Sequence, residues 1–137
     1  MDWLYPANTK FYDVIGAFSQ AETYWPVNSN VIVGDTVYIY LAAPYKQIAF
    51  VCQVSEMNLG EEKIIDYIRP FFKKAPQNKK PSKSFMKLQG ISKIPIEKES
   101  RLSYSFLKEN GLNGMLMGPR KLDNNPLLFN YIKGNLS

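Results

Sequence analysis

Aromatic side chains are the groups whose type and spacing best suit ligand chemistry here, and they cluster between Trp25 and Val54. Gly34-Asp35 suits a tight turn, because glycine tolerates positive φ. The strict alternation that follows, up to Leu41, predicts the first strand of a hairpin. This arrangement brings tyrosine rings close to Trp25. A rim of rings is suited to receiving a flat ligand.

The predicted hairpin has one strongly apolar side. In its first strand Val37, Ile39 and Leu41 share a face, and Tyr38 and Tyr40 point the other way. The second strand has the same period of two. One of its faces carries Ile48, Phe50, Cys52 and Val54, and the opposite face carries Ala49, Val51 and Gln53.

The residues needed for familiar catalysis are missing. Histidine is absent from the 137 residues, which removes the usual general base, the Ser-His-Asp arrangement and most zinc and non-haem iron sites. The single cysteine, Cys52, shares a predicted face with Phe50 and Val54, where it packs as a small apolar residue. Glu61 and Glu62 are first-turn acids that suit a helix dipole. We therefore predict no catalytic residue, no cofactor and no metal site.

Positive charge is concentrated in one region. No Asp or Glu lies between Tyr67 and Ile96, whereas eight of the 17 Lys and Arg residues do. The prolines of this region predict a basic loop over residues 70–87. Such a loop suits phosphate contacts beside a recognised base, and a solvated surface loop without a ligand is the alternative. The eight residues are Arg69, Lys73, Lys74, Lys79, Lys80, Lys83, Lys87 and Lys93.

Helical patterns flank the hairpin. An apolar stripe from Phe11 to Phe18 predicts a first helix capped by Asn8 or Thr9. The order of an early strand, a helix, a strand pair, helices and a late strand favours the α+β class. Further helices are predicted over Glu61 to Ile68, from Ser100 or Ser103 as far as Gly111, and over Leu127 to Ile132.

Length and composition indicate one domain spanning residues 1–137. A hydrophobic content of 45% is sufficient for a real core. The first residues lack the features of a signal peptide, and no apolar run approaches the ~20 residues that cross a bilayer. We therefore expect no membrane association. One cysteine cannot form an intrachain disulfide, so we expect a cytoplasmic location.

The order of these motifs resembles the EVE domain of the PUA-like superfamily, which is related to YTH and ASCH domains. The resemblance rests on a tryptophan before a Gly-Asp turn, on the opening Trp3 to Asn8, and on Gly118 to Leu122 as a late strand. The Pro6-Ala7-Asn8 element is closer to variants found with restriction-type proteins than to free-standing EVE proteins. The resemblance implies a small PUA-like β-barrel with flanking helices.

In such domains a modified base enters a pocket at the barrel mouth. The resemblance makes Trp25 the stacking platform, with a packing tryptophan as the alternative. Tyr40 is either a pocket ring or a cross-strand packing residue, and Asn8 either reads a base edge or caps a helix. The implied base pocket comprises Pro6, Ala7, Asn8, Trp25, Ser29, Tyr40, Leu41 and Ala42. The charge distribution, rather than the resemblance, predicts the nucleic-acid backbone contacts, which are Lys73, Lys74, Lys79, Lys80, Lys83 and Lys87.

The predicted function is non-enzymatic recognition of a modified base, with methyl- or hydroxymethylcytosine in DNA as the first ligand. The predicted partners are nucleic acid and a separate nuclease, and the chain is expected to be a monomer or weak dimer. One alternative is an RNA-binding PUA-like protein linked to RNA modification. Another is a small-ligand or protein-interaction module.

Overall fold

The computed structural model describes residues 1–73 and 84–136. Six strands and five α-helices lie within these ranges, and all but one of the strand pairs are antiparallel, which confirms the α+β class. The strands are β1 Asp2–Ala7, β2 Glu22–Pro26, β3 Thr36–Leu41, β4 Gln47–Leu59, β5 Phe85–Lys93 and β6 Arg120–Lys121. The helices are α1 Val14–Phe18, α2 Glu61–Ile68, α3 Ile96–Glu99, α4 Tyr104–Glu109 and α5 Pro126–Leu136.

The strands form one mixed sheet in the order β2-β5-β4-β3-β1-β6. β1 runs parallel to β3, and the other neighbours are antiparallel. The predicted barrel is wrong, because within residues 1–73 and 84–136 no strand pairing joins β2 to β6. β6 is only two residues long, so this edge offers few backbone groups for closing the sheet.

Two strands, β2 and β5, were not predicted from the sequence. β2 ends near Trp25, and β5 occupies part of the predicted basic loop, where it pairs with both β2 and β4. A period-two signal was present, since Met86 and Leu88 are buried and Lys87 between them is not. The prolines of this region led instead to the prediction of a loop.

Both faces of the sheet are covered, so the hairpin does not have a single apolar side. Val37, Ile39 and Leu41 join the first core cluster with β1, α1 and β5. Tyr38 and Tyr40 face the opposite way, into a second cluster. α4 and α5 cover this second face with Leu107, Leu128 and Ile132. Burial on two faces explains why the strand is hydrophobic at every position after Thr36.

A β-bulge alters the predicted faces of β4. Ile39 pairs with Phe50, but Tyr40 pairs with Ile48, so Ala49 is the extra residue. One extra residue reverses the side on which the next residue points. Ile48 therefore packs with Tyr40 in the second cluster, and Ala49 packs in the first. Cys52 stays on the face of the first cluster, as predicted.

The helix predictions differ mainly at the first helix. α1 begins after Asp13, whose Oδ1 accepts a hydrogen bond from Gly16 N at 3.0 Å, and neither Asn8 nor Thr9 caps it. Phe11 is outside the helix and 52% exposed. α2 has the predicted bounds, and α4 follows Ser103. None of the helices in the described ranges is long and apolar enough to span a membrane.

Candidate nucleic-acid interface

A cleft of about 460 Å³ opens beside the carboxyl ends of β1 and β2. Four stretches of chain meet there: the end of β1 with the residue after it, the end of β2 with Asn28 beyond it, the residue after β3, and the loop before β6. The cleft is within the ~300–1,000 Å³ of small-molecule sites. Its lining comprises Tyr5, Pro6, Ala7, Asn8, Trp25, Pro26, Asn28, Ala42, Leu116, Met117, Gly118 and Pro119.

Trp25 is half-buried and holds a fixed position in the wall of this cleft. Its indole lies 5.7 Å from the ring of Tyr12 in an edge-to-face arrangement and 5.6 Å from the ring of Phe18, centroid to centroid. Part of the side chain therefore packs on the core. The rest faces the cleft, so packing and lining are combined in one residue.

Asn8 is exposed at the cleft and does not act as a helix cap. Its Oδ1 accepts a hydrogen bond from Lys10 N at 2.8 Å, which forms a local turn. The neighbouring Thr9 is buried, and its carbonyl accepts a hydrogen bond from Lys73 Nζ at 2.8 Å. The loop is thus held in place, and among residues 1–73 and 84–136 the Nδ2 group of Asn8 has no acceptor, which leaves its two donors for a ligand.

Small residues form the floor of the cleft. Ala42 N donates to the carbonyl of Ala7 at 2.9 Å, which joins the end of β3 to the end of β1. Tyr5 is buried, and its hydroxyl hydrogen-bonds to Ser29 Oγ and accepts from the backbone of Asn28. Burial raises the pKa of Tyr5, so its hydroxyl stays protonated at neutral pH.

Three residues predicted for the pocket do not line this cleft. Tyr40 is only 6% exposed and packs with Leu102 and Leu107 in the second cluster, on the far face of the sheet. Leu41 is buried in the first cluster. Ser29 bonds to Tyr5 behind the lining. Tyr40 and Leu41 end a strand whose faces are both buried, so neither side chain lines this cleft.

The loop before β6 forms a lip that was missed in the sequence. Leu116 to Pro119 line the cleft, and Met117 is 82% exposed. The guanidinium of Arg120 donates to the carbonyls of Asn113 and Met115 and holds the loop together. The methionines beside a glycine were the sequence feature that could have indicated this lip.

The lysines predicted for backbone contacts divide into three groups. Lys74, Lys79, Lys80 and Lys83 lie outside the described residues. Lys73 is exposed next to the Asn8 loop. Lys87 is in β5, where its Nζ lies 3.1 Å from Glu22 Oε2. The hydrogen bond to Glu22 raises the pKa of Lys87. Lys87 is a strand residue with a carboxylate partner, which corrects its placement in a free loop.

The Gly-Asp turn has a structural role. Asp35 is buried and accepts hydrogen bonds from Ile32 N, from Trp3 Nε1 and from the amino group of Met1, each at 3.0 Å. Burial raises the pKa of Asp35, but these three donors outweigh it and leave the pKa below its ordinary value. Asp35 and Trp3 therefore fix the turn and the start of β1.

The thiol of Cys52 is engaged in packing. Cys52 is 1% exposed, and burial raises the pKa of its thiol to about 12. Its Sγ lies 3.5 Å from the carbonyl oxygen of Val37. Over residues 1–73 and 84–136, no cluster of three or more His, Cys, Asp or Glu residues could hold a metal ion.

The chain is an α+β protein with one open six-stranded sheet and a cleft beside the ends of β1 and β2. No family model and no curated protein matches the chain. Solved structures do match it. An ASCH protein from Zymomonas mobilis has 12% sequence identity, with 99% of this chain and 96% of that chain covered and a TM-score of 0.71.

Human structures match as well. The DUF55 domain of human thymocyte nuclear protein 1 has 13% identity, full coverage of both chains (100%) and a TM-score of 0.61. Human THYN1 in complex with 5-methylcytosine-containing DNA has 13% identity, with 97% of this chain and 95% of that chain covered and a TM-score of 0.54. At these sequence identities the structural similarity shows the fold alone. It does not support assignment to the EVE family in particular.

Proposed function

We propose that this protein is a non-enzymatic nucleic-acid-binding module that holds a modified base, methyl- or hydroxymethylcytosine in DNA, in the cleft beside Trp25. The observation that carries the proposal is the cleft itself, which combines an indole wall, a free amide donor and a floor of small residues. The similarity in fold to human THYN1 in complex with 5-methylcytosine-containing DNA supports the choice of ligand.

The cleft suits a base taken out of its strand. Extrusion costs a few kcal/mol, and stacking on one aromatic ring contributes about 1–3 kcal/mol. The packing of Trp25 on Tyr12 and Phe18 orients its indole before ligand arrives, which reduces the ordering cost of binding. Asn8 Nδ2 supplies donors for a base edge.

Selectivity for a methyl group needs an apolar contact near the base. Leu116 and Pro119 in the lip, with Ala42 in the floor, supply apolar surface inside the cleft. A single methyl group changes binding by roughly 1–3 kcal/mol in a pocket that fits it. We therefore assign base stacking to Trp25 and discrimination of the methyl group to the lip and the floor.

Positive charge near the cleft suits the adjacent phosphates. Lys10 and Lys73 are both exposed, and each donates a hydrogen bond to the Asn8 loop, Lys10 through its backbone N and Lys73 through Nζ. Phosphate contacts give affinity without sequence information and make binding salt-dependent. We further propose that cleavage of DNA, where it follows binding, belongs to a separate nuclease.

The test measures fluorescence anisotropy with matched DNA and RNA oligonucleotides, single- and double-stranded, with unmodified, methylated and hydroxymethylated cytosine. We expect at least tenfold tighter binding to one modified DNA, and we expect Trp25→Ala to remove that preference. Tyr67→Ala is the control, since Tyr67 is 59% exposed and does not line the cleft. Equal affinity for all cytosine forms would refute base recognition, and preference for RNA would select the RNA-binding alternative.

A further inference from the structure

A second cavity shares Trp25 with the cleft but has a different chemistry. Its volume is about 220 Å³, below the ~300 Å³ at which drug-sized sites begin. It therefore suits a small headgroup or the end of a side chain. Apart from Pro26 and Ile68, its lining residues are five aromatic residues and one acidic residue, namely Tyr12, Tyr24, Trp25, Phe72, Phe85 and Glu61.

The rings of this cavity adjoin one another at steep angles. Tyr12 is inclined by 71° to Trp25 and by 78° to Phe72, with centroids 5.7 and 5.2 Å apart. Nearly perpendicular rings form adjoining walls around a space. Phe85 lines the cavity from β5, where it pairs with Pro26 beside Trp25. The electron-rich faces of such rings attract cations.

Glu61 has no ion-pair partner among residues 1–73 and 84–136. It is half-buried at the first position of α2, and no Lys or Arg in the described ranges lies within 4 Å of its carboxylate. The neighbouring cations Arg69 and Lys87 pair with Asp66 and Glu22 instead. The helix dipole already has Glu62 in the same turn, and Glu62 does not line the cavity.

We propose that this cavity is an aromatic cage for a methylated ammonium group. The rings and Glu61 together favour a cation, and the apolar walls favour one that carries methyl groups, because a bare ammonium is too strongly hydrated to leave water for such a site. An anionic nucleotide is disfavoured by Glu61. The ligand class therefore comprises choline-like molecules and methylated lysine side chains.

The first experiment compares choline with its neutral carbon isostere, 3,3-dimethyl-1-butanol, by NMR titration of the full chain. We expect choline to bind at least tenfold more tightly. Glu61→Gln preserves shape and removes charge, and it should weaken choline binding several-fold while leaving the isostere unchanged. Equal affinities for choline and the isostere, or no saturation with choline in the millimolar range, would overturn the cage.

A second experiment distinguishes the two sources of the ligand. A lysine-containing peptide is compared in its trimethylated and unmethylated forms, with free choline as the third probe. Tighter binding of the trimethylated peptide than of choline identifies a protein partner, and the reverse order identifies a small molecule. Equal binding of both peptides, without any binding of choline, would contradict the proposal.

The cage does not depend on the proposed nucleic-acid function, and variants separate the two. Asn8→Ala alters only the cleft and should leave choline affinity unchanged. Phe85→Leu alters only the cage and should weaken choline binding at least fivefold with the DNA preference intact. Circular dichroism of each variant verifies its fold. Loss of choline binding in Asn8→Ala, or unchanged choline binding in Phe85→Leu, would refute the assignment.

Discussion

The ring of Tyr12 meets the indole of Trp25 edge to face, with centroids 5.7 Å apart and planes inclined by 71°. Trp25 lines both the cleft and the cage, whereas Tyr12 lines only the cage. The same ring contact therefore fixes one wall that two cavities share. A ligand in either cavity presses against an indole that the core holds in place through Tyr12 and Phe18.

Replacing Tyr12 by Phe should stabilise the fold. The Tyr12 hydroxyl is buried without a hydrogen-bond partner among the described residues, and burial raises the pKa of Tyr12 to about 12. An unsatisfied buried hydroxyl is costly, so its removal should raise the free energy of unfolding by about 1 kcal/mol.

The measurement for Tyr12→Phe is urea unfolding followed by circular dichroism. Tyr38→Phe is the matched control, because the Tyr38 hydroxyl donates to Asp2 Oδ2 at 3.0 Å and its loss should cost about 1 kcal/mol. A decrease in stability of Tyr12→Phe equal to that of Tyr38→Phe would show that the Tyr12 hydroxyl has a partner.

Asp35 should make the fold sensitive to acid. Its pKa is lowered in the folded chain, so the unfolded chain takes up the proton first as pH falls. The stabilisation is complete well above the unfolded pKa of about 3.9 and is lost as pH falls through the folded value. Asp35→Asn should cost about 1–3 kcal/mol at pH 7 and flatten this dependence.

Unfolding curves recorded between about pH 7 and pH 2.5 test the role of Asp35. Asp66→Asn serves as the control, since Asp66 pairs with Arg69 at the surface, where such a pair contributes ~0–1 kcal/mol. If Asp35→Asn and Asp66→Asn show the same acid dependence, the turn carboxylate does not control acid stability.

Arg120 should control the lip of the cleft. Its guanidinium donates to the carbonyls of Asn113 and Met115, and a lysine cannot hold both at once. Arg120→Lys should speed hydrogen exchange over residues 113–119 and weaken binding of modified DNA about tenfold, with global stability changed by less than about 0.5 kcal/mol. Lys121→Arg is the control. Hydrogen exchange over residues 113–119 that is as slow in Arg120→Lys as in the wild-type chain would exclude this role of Arg120.

Lys73 and Lys87 carry the same charge but should differ in their effect on DNA binding. Lys73 lies beside the Asn8 loop, whereas Lys87, in β5, is paired with Glu22. Lys73→Ala should lower the slope of log affinity against log salt by about 1, and Lys87→Ala should leave it nearly unchanged. The slopes are obtained from anisotropy titrations at four salt concentrations. A larger change in this slope for Lys87→Ala than for Lys73→Ala would show that Lys87 belongs to the interface.

Local patterns in the sequence predict local structure well. α2 has the predicted bounds because its acids and isoleucines repeat with the helical period. The hairpin strands and the buried face of Cys52 follow from the period of two. The bulge at Ala49 is not visible in the pattern, because every residue from Ile48 to Cys52 is apolar and either face suits it.

The sequence by itself determined the α+β class, the central hairpin and the lack of histidine chemistry, since these depend on residue type and short-range spacing. Only the tertiary structure decided which side chains meet. β1 pairs with β3 and β6, which brings Asn8 and Pro119 to one cleft. Trp25 joins the same cleft from β2, at the other edge of the sheet, and Tyr40 faces the opposite core. Such meetings depend on strand order and on a one-residue bulge, and neither is encoded in a local window of sequence.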